Sequence, residues 1–73
     1  MFELILTVCA LMGDYEVECH YLRTDRDLDV AFPTMVECEA FEALHLSLFV
    51  DTYAQELGTE VQHVSTCTLV RSH

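Results

Sequence analysis

A chain of 73 residues makes a single domain, and its 52% hydrophobic content is too high for disorder, so it must bury a core. Its 13 Asp and Glu stand against three Arg and no Lys, a net charge of −10. A body so acidic repels nucleic-acid phosphates and anionic membrane surfaces, and no apolar run approaches the roughly 20 residues that cross a bilayer.

Phe2 to Leu11 is an almost continuous apolar run rich in Leu, Ile, Val and Thr. It is short for a buried helix and suits a central strand. Its apolar character resembles a signal h-region, and Leu6-Thr7-Val8-Cys9 faintly resembles a lipoprotein cleavage site. Glu3 stands where such a leader carries positive charge, and Val8 is large where a small residue is wanted. We therefore read a strand and expect a cytoplasmic, host-cell location.

Met12-Gly13-Asp14 predicts a tight turn, with Gly13 free to adopt positive φ. From Tyr15 to Leu22 the residues alternate: Tyr15, Val17, Cys19 and Tyr21 on one face, Glu16, Glu18 and His20 on the solvent face. This is a half-buried antiparallel strand, forming a hairpin with the first. Arg23 to Asp29 reads as a charged loop without periodicity.

Thr34 to Leu57 predicts one long helix. Thr34 and Glu37 have the spacing of a capping box, and Gly58 stands where helices end in a left-handed residue. Ala43, Leu46, Val50, Tyr53 and Leu57, flanked by Phe49 and Ala54, form the stripe expected to pack on a sheet. Phe41, Leu44 and Leu48 lie off that stripe. Either Leu28, Val30 and Phe32 fold over them, or they form an oligomer or partner patch. A last strand is expected from Thr59 to Val70. The order β-β-α-β implies an α+β fold: a three-stranded antiparallel sheet with its first strand central and one helix on one face.

The chemistry-bearing residues form no catalytic pattern. Cys9, Cys19, Cys38 and Cys67 each sit in an apolar stretch and are read as reduced core cysteines, with disulfide staples of an exported domain as the alternative. Cys19-His20 and His63/Cys67 lack the clasp spacing of a zinc site. The acidic surroundings raise thiol pKa values, which disfavours a cysteine nucleophile. Asp25, Asp27 and Asp29 open like a calcium loop, but Val30 and Val36 stand where Gly and Glu are required. With only two glycines there is no phosphate loop. Neither enzyme activity nor a cofactor is expected.

The acids remain as a surface. Eight of the 13 lie between residues 16 and 42: Glu16, Glu18, Asp25, Asp27, Asp29, Glu37, Glu39 and Glu42. Their ordinary role is solubility, yet no lysine interrupts their field. An array of carboxylates at a density near that of DNA phosphates can occupy a Lys/Arg groove built for nucleic acid.

In size, single-domain build, absence of a catalytic motif and dense acidity, the chain resembles the small acidic anti-CRISPR proteins of phages and mobile elements. The resemblance is of class and rests on no shared motif. It implies a non-enzymatic inhibitor that occludes DNA binding on a basic partner such as a CRISPR surveillance complex, without touching nucleic acid itself. The opening ELILTVC is also similar to the start of small alphaproteobacterial proteins, from which no function transfers. The alternatives are a structural or homo-oligomeric interaction protein of virion-decoration type, including a homodimer through Phe41, Leu44 and Leu48, and an exported stapled domain.

Overall fold

A computed structural model describes residues 1–70. Two strands come first, β1 (Phe2–Leu11) and β2 (Val17–Arg23), followed by a single helical turn, α1 (Thr24–Asp27). The long helix α2 (Met35–Leu57) and the strand β3 (Gln62–Leu69) complete the chain. The sheet order is β2-β1-β3 and both pairings are antiparallel, so the most apolar strand is the central one, as expected. Overall extents of 42 × 27 × 16 Å fit one helix layer on one sheet layer.

The register sets two unlike sheet faces. Leu6 lies opposite Leu22, and Val8 opposite His20, on the side that α2 covers. Leu6, Val8 and Leu22 form the buried core, packed by Leu46, Phe49, Val50 and Tyr53 of the helix and by Val61. Leu57 and Ala54 are half-buried, whereas Ala43, expected within this stripe, is exposed. Cys38 is the fully buried residue of α2.

Several expectations require correction. The face assignment of the second strand is reversed: His20 and Leu22 point to the helix, while Val17 and Tyr21 are exposed on the open face. Pairing with β1 fixes the phase, and only one phase places Leu22 against Leu6. Tyr15 precedes the strand and is fully exposed. The turn spans Met12 to Glu16, closed by the Met12 N–H donating to the Glu16 carbonyl at 2.9 Å. Gly13 does not use its freedom; Gly58 is the glycine with positive φ, at 72°.

The cysteines are paired, not reduced: Cys9 with Cys19, and Cys38 with Cys67. Cys9 and Cys19 are direct partners across the hairpin. Cys67 shares the helix-covered side with Leu4, where Cys38 of α2 meets it.

The segment from Arg23 to Asp29 is not a free loop. Asp27 accepts the Arg23 backbone N–H at 2.9 Å, closing α1, and Asp29 takes φ 55°. The buried Thr24 hydroxyl accepts the Leu4 N–H at 3.0 Å, fastening this turn to β1. Phe32 then exchanges two 2.7 Å backbone hydrogen bonds with Phe2. The chain so delivered starts α2 at Thr34, whose hydroxyl accepts the Glu37 N–H at 3.2 Å. The Thr34 half of the capping box forms; among the described residues, no bond returns from the Glu37 carboxylate.

Candidate functional site

The eight acids divide between the two ends of the molecule. Glu18 lies opposite Ala10 and Arg23 opposite Ile5, so the five residue steps from one to the other span roughly 17 Å of strand. Glu16 lies beyond Glu18, in the hairpin turn. Asp25, Asp27 and Asp29 lie beyond Arg23, at the end where β1 begins. The Cys38–Cys67 bond holds the first turns of α2 at this same end, where they carry Glu37, Glu39 and Glu42 on the β3 side of β1. Six of the eight therefore lie toward the end of the sheet where β1 begins, the aspartates by β2 and the glutamates on α2, and Glu16 and Glu18 lie at the other end.

Local partners differ within that group. Arg26 holds Asp27 through Nε and Nη2, at 2.9 and 3.0 Å. That pairing, with the Arg23 backbone N–H, pulls the Asp27 carboxyl down to about 2. Glu42 is half-buried and accepts the Ser65 hydroxyl at 2.7 Å. Among the described residues, Asp25, Asp29, Glu37 and Glu39 have no basic partner within salt-bridge distance. Glu37 is the acidic residue of the first turn of α2, where the helix dipole attracts negative charge. At the hairpin end, Glu18 meets the His20 ring at 3.0 Å, and that ring packs 5.7 Å from Tyr53.

Sequence reasoning missed Glu3. It lies on the open sheet side beside Ile5, almost wholly buried, and Arg23 grips it with two hydrogen bonds. Arg23 is thereby committed within the fold and does not face the acidic group as a free cation. The signal was available in principle, as a lone acid inside the most apolar run.

The three apolar candidates also separate. Phe41 is half-buried, its ring 5.1 Å from Phe32 and 4.5 Å from His45. Leu44 and Leu48 remain 76% and 64% exposed, next to exposed Val36 and Ala40 along the outer side of α2. The loop thus covers Phe41 and leaves the two leucines in water.

An open cleft of about 440 Å³ lies at the hairpin end, lined by residues of Cys9–Leu11, Val17 and Thr59–Gln62. Its one ionisable side chain is Glu60, which supplies no acid–base pair. Among the described residues, no group of three or more His, Cys, Asp or Glu is placed to hold a metal ion. Among the described residues, no helix is long and apolar enough to cross a membrane.

The chain matches no protein-family model, no curated protein and no solved structure. Its function must be argued from the molecule's own surfaces.

Proposed function

We propose that this chain is a non-enzymatic binding module that seats the acid-rich end around the start of α2 in a Lys/Arg-lined site of a nucleic-acid-handling protein. The observation that carries the reading is the placement of Asp25, Asp27, Asp29, Glu37, Glu39 and Glu42 toward one end of the sheet, with Asp27 the one arginine-held member among the described residues. Carboxylates anchored on a helix and a hydrogen-bonded turn form a preorganised anionic surface. Such a surface can displace DNA phosphates from a basic groove, as in an inhibitor of a CRISPR surveillance complex. Glu16 and Glu18, at the far end, lie outside this binding surface.

Capture of host proteins on the immobilised, oxidised chain tests the reading. The captured protein should be basic, its binding should fall steeply with salt, and neutralising Asp25, Asp29, Glu37 and Glu39 together should abolish capture while the fold persists. Retention of the same protein by that fourfold variant excludes the acidic end as the docking surface.

A second reading draws on the disulfides. All four cysteines are paired. Disulfides persist in oxidising compartments, and small exported domains use them to supplement a limited core. This supports a stapled interaction domain acting outside the cytoplasm. Trapping free thiols in cells before lysis separates the two settings: unmodified cysteines favour export, and alkylated ones favour the cytoplasm.

A further inference from the structure

The face of the sheet opposite α2 combines exposure, apolarity and an uncharged centre on a chain that is otherwise acidic. Ile5, Thr7, Cys9 and Leu11 lie on it from β1, Val17, Cys19 and Tyr21 from β2, and Gln62, Val64 and Thr66 from β3. None of these is charged, although the chain carries a net −10. Leu11, Val17, Tyr21 and Val64 are all more than 60% exposed. Charge stands at the two ends of this face: Arg23, opposite Ile5, grips Glu3 at one, and Glu60 lines the cleft beside Leu11 and Val17 at the other.

We infer that this face pairs with the same face of a second copy, making a weak two-fold dimer in which the two sheets form the inner layers. The charge pattern selects the occupant. A basic protein or a nucleic acid finds no carboxylate or cation at the centre of this face to pair with, and burying its own charges against Leu11, Val17 and Val64 is costly. A second copy brings an equally uncharged surface, and sheets stack face to face at about 10 Å with inner side chains interdigitated.

The size of the face sets the strength. Three strands about 4.8 Å apart and eight residues long at about 3.4 Å each cover roughly 400 Å² per copy. The total, roughly 800 Å², is below the about 1,200 Å² at which stable interfaces begin, so the dimer is concentration-dependent. Because each copy is acidic, salt should strengthen this association by screening repulsion, whereas docking of the acid-rich end on a basic partner weakens with salt.

Sedimentation velocity of the oxidised chain, from micromolar to millimolar and at low and high salt, tests the inference. A reversible monomer–dimer equilibrium that tightens with salt is expected. Val64→Lys should weaken it about tenfold or more by burying a charge, even though the substitution lowers net repulsion. Leu48→Lys makes the same charge change on the outer side of α2 and should not weaken the dimer. Val64 is 72% exposed, so its variant should keep the wild-type circular dichroism. A monomer at every concentration, which leaves the face to an unlike apolar partner, overturns the proposal. So does a dimer lost in Leu48→Lys and kept in Val64→Lys, which moves the interface to the helix.

Discussion

Arg23 grips Glu3 through two hydrogen bonds, Nε to Oε1 at 3.1 Å and Nη2 to Oε2 at 2.6 Å. The carboxylate is only 1% exposed, while the guanidinium remains 41% exposed. A single side chain of β2 thus neutralises the one acid placed within the central strand. The Glu3 partnership raises the Arg23 pKa above its ordinary value. Glu3→Gln keeps the shape and loses charge-assisted bonding, so it should cost about 1–2 kcal/mol in urea unfolding. Arg23→Gln should cost more, because it strands a buried carboxylate. The opposite ranking would show that the pair is not what holds this corner.

The two disulfides should contribute unequally. Cys9–Cys19 spans a sequence separation of 10 and Cys38–Cys67 one of 29. Chain-entropy arithmetic gives about 2.7 and about 3.6 kcal/mol respectively. Replacing Cys38 and Cys67 by serine should therefore lower the urea midpoint further than replacing Cys9 and Cys19. It also frees the first turns of α2 from β3, so those amides should lose hydrogen-exchange protection first. Equal protection in both serine pairs would contradict the assigned role of the Cys38–Cys67 staple.

Asp27 should make acid stability pH-dependent. Its carboxyl, ordinarily near 3.8, is held at about 2 by the Arg26 side chain and the Arg23 N–H. A depressed folded-state pKa stabilises the fold fully above the unfolded value and loses that effect as pH falls through the folded one. Stability should consequently decline between about pH 4 and pH 2, and Asp27→Asn should flatten this part of the profile. An unchanged acid limb in that variant would remove Asp27 from the account.

Gly58 ends α2 at φ 72°, its N–H donating to the Ala54 carbonyl at 2.9 Å. A side chain there has open space but a disfavoured backbone conformation, so Gly58→Ala should cost about 1 kcal/mol. Gly13→Ala, which meets open space without positive φ, should be near neutral. Thermal unfolding of the two variants checks the contrast.

The fold was legible where one signal dominated. The apolar run of Phe2–Leu11, the Thr34 cap and the Gly58 stop place the central strand and the helix because each is a local property of the chain. What failed depended on register. Which face of β2 is buried follows from Leu22 meeting Leu6, and which cysteines pair follows from Cys9 lying opposite Cys19. Neither relation exists until strands are aligned. Alternation alone favoured the tyrosines because they are large, though Tyr21 stands on an uncovered side. The acids were legible as a composition but not as a surface. Their separation into two ends is set by the length of β2 and by the Cys38–Cys67 bond.

We propose that the carboxylates around the start of α2 occupy a site built for nucleic acid. The most direct test is to challenge the captured partner with duplex DNA while comparing two neutralised variants, one at Asp25, Asp29, Glu37 and Glu39, the other at Asp14, Glu16 and Glu18. The account predicts that DNA releases the partner from the wild-type chain, that the first variant captures nothing, and that the second captures normally. Capture that survives both DNA and the first variant would contradict it.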